Sequence, residues 1–230
     1  LTNASAGTKI TVTATPDEGY ELAYITVDGE RISGASFTMP DHDVTVRVYF
    51  TGGALPFEDT PEGAWYYDAV SYVYANGLMD GVSATQFAPD ANMTRAMLVT
   101  ILWRMEGEPV VNYLLPFTDV DGGAWYAEAV RWAASEGIVT GVSAIEFAPN
   151  AEITREQLAA ILHRYAGEPA TAANLDAFTD AASVSAYAVD AMSWCVEQGI
   201  ITGTTATTLD PQGTATRAQC AAMLMRFMER

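Results

Sequence analysis

Cysteine is nearly missing from this chain: Cys195 and Cys220 are the only two, with no CxxC pair and no Cys/His cluster. That excludes the usual cysteine-based zinc sites, and no metal or cofactor is expected. Histidine is as scarce. His42 sits beside a turn, and His163 lies in a helical stripe where its counterparts in the other repeats are Trp103 and Met225. No Gly-x-Ser-x-Gly, phosphate loop or His-Glu-x-x-His occurs, and the acidic pairs show no repeated spacing that suits glycosidase chemistry, so no catalytic activity is expected. Lys9 is the only lysine, and 29 acidic residues face 11 basic ones for a net charge of -18. Such a field repels phosphate backbones and anionic headgroups, which argues against nucleic acid as a partner. No apolar run approaches the ~20 residues that span a bilayer, so membrane insertion is not expected. The chain opens at Leu1 without a signal-peptide pattern and is expected to be a piece of something longer.

What is present is a triple repeat. Phe57-Glu58-Asp59, Phe117-Thr118-Asp119 and Phe178-Thr179-Asp180 open units about 60 residues long, a period that calls for a shared architecture. An aromatic residue follows in each, at Trp65, Trp125 and Tyr187, then a glycine at Gly77, Gly137 and Gly199. A second glycine comes at Gly81, Gly141 and Gly203. Phe87-Ala88-Pro89, Phe147-Ala148-Pro149 and Leu209-Asp210-Pro211 lead on to Thr94-Arg95, Thr154-Arg155 and Thr216-Arg217.

Local physics gives each unit two helices. Ala69, Val70, Val73 and Tyr74 form an amphipathic stripe, repeated at Ala129, Val130, Ala133 and Ala134 and at Ala191, Met192, Cys195 and Val196. The glycine that closes each stripe suits a left-handed C-terminal cap. The second helix starts at the threonine. Thr154 with Gln157, and Thr216 with Gln219, match a capping box, whereas Thr94 keeps the cap and loses the box because Met97 returns no hydrogen bond. Apolar links such as Ile138-Val139 are too short for a helix and are expected to tuck onto the core. One such unit buries too little surface alone, so the three are expected to share a core. Arg104, Arg164 and Arg226 recur in the last turns of the second helices, where a cation suits the helix dipole; they read as structural.

The first fifty residues differ. Lys9-Ile-Thr-Val-Thr-Ala-Thr15 and Val44-Thr-Val-Arg-Val-Tyr-Phe50 alternate, with short runs at Tyr24–Val27 and Ser36–Thr38 between them. Asp28-Gly29 is a hairpin signal. A small all-β module of about four strands is expected over 1–51, then a linker at 52–56 and repeats at 57–116, 117–177 and 178–230. The fold class expected for the whole is mainly α, with the three helix–loop–helix units behind the β module. Ala14-Thr-Pro-Asp-Glu-Gly-Tyr20, Ile25-Thr-Val-Asp-Gly29 and Phe37-Thr-Met-Pro-Asp41 resemble the divergent internalin B-repeat modules, which implies a spacer or stalk.

The series Phe-x-Asp, Trp, Gly-x-x-x-Gly, Phe-x-Pro and Thr-Arg resembles the S-layer homology family over residues 57–228. That resemblance implies three repeats about a pseudo-threefold axis, in an extracellular protein held at the cell wall or S-layer. It also implies non-covalent binding of secondary cell-wall polysaccharide, often pyruvylated, in grooves between repeats. By residue-for-residue match Arg95, Arg155 and Arg217 inherit the central binding role. Asp59, Asp119, Asp180, Trp65, Trp125, Tyr187, Gly81, Gly141 and Gly203 complete the expected ligand-binding set. The sequence departs from the family where a glutamate is expected, at Met97, Gln157 and Gln219, and has Tyr187 in place of a third tryptophan.

The chemistry suits this independently. An arginine just after an N-cap stands beside unpaired N–H groups at the positive end of a helix, a setting that receives carboxylates. On that reading Arg155→Ala weakens binding and spares stability. Other roles compete: the arginines pair with Asp59, Asp119 and Asp180 as salt bridges; the aspartates cap their own turns; the tryptophans, opening amphipathic helices, pack chiefly in the core. Cys195 and Cys220 align with core positions and read as buried hydrophobes. The alternative functions are a protein–protein assembly or scaffold domain, with self-association left open, and an adhesin stalk.

Overall fold

The computed structural model describes residues 3–230; Leu1 and Thr2, the start of the expected β module, lie outside the described residues. The β module has five strands where about four were expected: β1 (Lys9–Thr11), β2 (Tyr20–Val27), β3 (Glu30–Arg31), β4 (Ser36–Thr38) and β5 (Val46–Gly52). They form two small antiparallel sheets, β1-β4 and β3-β2-β5. Asp28 and Gly29 both take positive φ, 52° and 86°, which is the geometry that closes a tight hairpin between β2 and β3. β5 runs into the expected linker and ends at Gly52.

Six α-helices follow, two per unit: α1 (Tyr67–Ala75), α2 (Arg95–Met105), α3 (Ala127–Ser135), α4 (Arg155–Tyr165), α5 (Val189–Glu197) and α6 (Arg217–Glu229). Gly77, Gly137 and Gly199 stand just past the first helices at φ of 65°, 71° and 70°, the left-handed stop that a Cβ would penalise. Thr94, Thr154 and Thr216 each accept the N–H three residues on, and the latter two complete a capping box. The links between the glycines are buried, as at Leu78, Met79, Ile200 and Ile201.

The expectation of a mainly α chain is corrected: 30% of residues are helical and 14% extended. The helices run only nine to thirteen residues, and long irregular segments fill the rest of each unit. Those segments carry core side chains of their own. Phe87, Met93, Phe147, Ile153 and Leu209 are fully buried, so the loops are packed parts of the core.

The three units close into a ring. At its centre Met93 N–H donates to Ala215 O, Ala215 N–H to Ile153 O, and Ile153 N–H to Met93 O, at 2.9, 3.0 and 2.9 Å. Around it lie bridges Thr94–Glu152, Thr154–Thr214 and Asn92–Thr216, each joining a cap threonine to the next unit in cyclic order. Helix packing keeps that order: α2 lies on α3, α4 on α5, and α6 on α1.

The β module docks on this ring. Tyr24 Oη meets Tyr72 Oη at 2.7 Å and donates to Met228 O at 2.8 Å. Asn76 exchanges two 2.9 Å hydrogen bonds with the backbone of Phe50, and Arg47 pairs with Glu106 at 2.6 Å.

Candidate functional site

Each cap threonine delivers its arginine into the boundary with the next unit. Arg95, Arg155 and Arg217 are 5, 3 and 7% exposed. Their Nε–H groups donate to Phe147 O, Leu209 O and Phe87 O, at 2.9, 2.7 and 2.7 Å, in every case across to the following unit. Arg95 and Arg217 add Nη2 bonds to Thr140 O and Asp80 O, at 3.2 and 2.6 Å. Arg95 and Arg217 also stand over the rings of Phe147 and Phe87.

None of the ion pairs among the described residues includes these three arginines, so the salt-bridge alternative is overturned. Burial pushes all three guanidinium pKa values down, as for cations held out of water with no anion in contact. Both Nη groups of Arg155, and one each of Arg95 and Arg217, make no hydrogen bond to the described residues. None of them is a sealed, unsatisfied atom, since among the described residues only Thr26 Oγ1 is buried without a partner. They therefore keep contact with solvent, and Arg95 and Arg155 do so along a groove.

The helix N-termini themselves are not free. Arg95 and Ala96 N–H donate to Ala151 O and Pro149 O; Arg155 and Glu156 to Gly213 O and Pro211 O; Arg217 and Ala218 to Ala91 O and Pro89 O. The expectation of unpaired N–H groups awaiting an anion is corrected: the neighbouring loop takes them. Any positive charge offered to a ligand comes from guanidinium.

Two grooves are open and alike. The first, about 380 Å³, is lined by Arg95 of one unit, Thr140–Val142, Gln157 and Arg164 of the next, and Tyr187 of the last. The second, about 360 Å³, has Arg155, Thr202–Thr204, Gln219, Arg226 and Trp65 in the same cyclic order. At the third boundary Arg217 reaches Asp80 O and Arg104 reaches the Asp80 carboxylate, while Gly81, Met97 and Trp125 hold the corresponding places in the sequence. Trp65, Trp125 and Tyr187 are 66, 61 and 55% exposed, so core packing is not their role. Tyr187 is also held in place: its hydroxyl donates to Glu156, a buried carboxylate that Ser185 binds through N–H and Oγ. Burial and that carboxylate raise the Tyr187 phenol to about 12.

The aspartates face their own units. Asp119 accepts Phe147 and Ala148 N–H at 2.8 and 2.7 Å; Asp59 does the same for Phe87 and Ala88, and Asp180 for Leu209 and Asp210. The second residue of each pair, Ala88, Ala148 or Asp210, is held at φ of 58°, 57° or 52°, strained for a residue with a Cβ, and the carboxylate stabilises that bend. Gly81, Gly141 and Gly203 stand where a Cβ would meet backbone oxygens at 2.2–2.7 Å, so a side chain there would force the loop apart.

The sequence suggests dipole partners in Arg104, Arg164 and Arg226, yet Arg164 and Arg226 line the two grooves. The signal was their spacing. Nine residues at about 100° each turn a helix by two and a half turns, so the two arginines of one helix face opposite sides. Arg155 of α4 thus serves the second groove and Arg164 of α4 the first.

Comparison with known proteins matches this geometry to a family. The S-layer homology domain model matches residues 56–96, 116–159 and 177–221, and the divergent InlB B-repeat domain model matches 2–54. An endoglucanase of Bacillus sp. strain KSM-635 is 31% identical over 179 residues, 76% of this chain and 19% of that protein. An amylopullulanase of Thermoanaerobacterium thermosulfurigenes is 32% identical over 173 residues, covering 72% and 9%. The S-layer protein of Bacillus thuringiensis subsp. finitimus is 27% identical over 177 residues, covering 74% and 21%. This chain therefore spans about a fifth or less of those relatives. With three matched units closing one ring, the chain belongs to the S-layer homology domain family, an extracellular, cell-wall-associated class of surface-anchoring module.

Proposed function

We propose that this chain anchors a longer protein by binding secondary cell-wall polysaccharide in the grooves between its units. The observation that carries the reading is the lining of the first two grooves: two arginines from different units, no carboxylate, and one exposed aromatic ring. Guanidinium recognises a carboxylate through paired, charge-assisted hydrogen bonds, and a pyruvate ketal places a carboxylate on a sugar. The exposed ring of Trp65 or Tyr187 offers a flat apolar face to the sugar beside that acid. A net charge of -18 opposes an anionic polymer at long range. The arginines act within the ~8–10 Å over which salt leaves charges unscreened, so contact is attractive where approach is not.

In this reading the chain is non-catalytic. The activities named for the endoglucanase and the amylopullulanase belong to those proteins. The β module, docked by Tyr24, Asn76 and Arg47, serves as a fixed extension of the anchor.

Sedimentation tests the proposal. The protein is expected to pellet with sacculi that carry their polysaccharide and to stay in solution with sacculi stripped of it. Equal pelleting with both would refute the glycan as ligand. Concentration-dependent self-association without any glycan would favour an assembly domain in its place.

A further inference from the structure

We infer that Asp80 sets the third groove against anions, so that the chain takes two acidic sugar groups and not three. The inference rests on the glycan reading above and deepens it. In the first two grooves the residue before the second glycine is a threonine, Thr140 or Thr202. The first unit has Asp80 at that place. Its Oδ2 accepts a hydrogen bond from Arg104 Nη1 at 3.1 Å, while its backbone carbonyl holds Arg217 at 2.6 Å.

The counterparts of Arg104 are less engaged. Among the described residues Arg226 makes only long bonds, 3.4 Å to Ile200 O and 3.5 Å to Thr202 Oγ1, both neutral acceptors. Among the described residues Arg164 has its one carboxylate partner at 4.0 Å, Glu168 on Nε, and Glu168 lines the adjoining cavity and not the first groove. In the third position the carboxylate is thus supplied from within, beside both arginines. A ligand acid arriving there meets one cation already paired and a like charge next to it, an arrangement that rejects anions. Met97 deepens the difference, standing where Gln157 and Gln219 offer the other grooves a neutral polar side chain.

Isothermal titration with the 4,6-pyruvylated methyl glycoside of N-acetylmannosamine reads the count directly. The parent protein is expected to bind about two per chain, with any third site at least about tenfold weaker, as befits a like charge at contact. Asp80→Thr is expected to raise the count to about three, and Thr202→Asp to lower it to about one, by reproducing the Asp80–Arg104 pair in the second groove. Asp80 is an exposed side chain, and the isosteric Asp80→Asn gives the same readout if the threonine variant folds poorly. Three equal sites in the parent, or a count that stays at two in both Asp80 variants, overturns the inference. Absence of binding in every protein refutes the glycan reading itself, a result distinct from either count.

Discussion

Arg155→Ala and Arg226→Ala strip the same groove of its two cations, yet the structure assigns them very different consequences for stability. Arg155 is 3% exposed, and its Nε–H donates to Leu209 O at 2.7 Å across the boundary between two units. A hydrogen bond from a charged donor contributes about 1.5–3 kcal/mol, and truncation leaves the carbonyl unpaired beside a hole. We expect a loss of about 2–4 kcal/mol, and for a chain of this size a fall of roughly 5–12 °C in the melting temperature. Arg226 lines the groove and is held there only by bonds of 3.4 and 3.5 Å among the described residues. Its removal should cost about 0.5 kcal/mol or less, and the melting temperature should move by no more than ~2 °C. Both variants should lose the second groove as an anion site. Circular dichroism melts, paired with titration of the pyruvylated sugar, separate the two quantities. If Arg155→Ala melts with the parent, the guanidinium does not hold the units together. If Arg226→Ala keeps full binding, it is not a groove cation. The sequence alone suggested that Arg155→Ala spares the fold; its burial is what reverses that expectation.

Alkaline pH should loosen the β module. Burial is the main cause that raises the Tyr24 phenol to about 12, so the folded form resists ionisation more than the unfolded one. The stabilisation is complete below pH ~10 and drains away as pH climbs toward 12, a slope that denaturant midpoints measured from pH 9 to 12 would show and that Tyr24→Phe should reduce. A flat profile in the parent refutes it. Asp119→Ala removes the acceptor for Phe147 and Ala148 N–H and should cost about 1–3 kcal/mol by chemical denaturation, with Asp119→Asn restoring part; a variant as stable as the parent would show that the bend at Ala148 needs no carboxylate.

Helix positions were the most legible part of the chain, because a threonine cap, a 3.6-residue stripe and a closing glycine are each properties of one segment. Thr154 with Gln157 and the stop at Gly137 follow from local chemistry alone. The hairpin at Asp28-Gly29 was legible for the same reason. Properties that belong to two units at once were not. Periodicity reports how a residue faces its own helix, so Trp125 at the mouth of α3 read as core, although the rotation between units leaves it open. The N–H groups of Arg155 and Glu156 read as free because their acceptors, Gly213 O and Pro211 O, lie in another repeat. The helical share was overestimated because stripes mark helices clearly, while loop residues such as Phe87 and Ile153 that fill the core show no period at all.

The ring also explains why fold and site cannot be separated here. The first groove needs Arg95 from one unit, Thr140 and Arg164 from the next, and Tyr187 from the last. No single unit contains a groove, and no two adjacent units complete one. α4 gives Arg155 to the second groove and Arg164 to the first, so it borders both open grooves at once. The Nε bond of Arg155 to Leu209 O joins two units, and the same guanidinium lines the second groove. A ligand carboxylate held by that guanidinium would tighten the same boundary, so binding should raise the stability of the ring as a whole and not of one repeat.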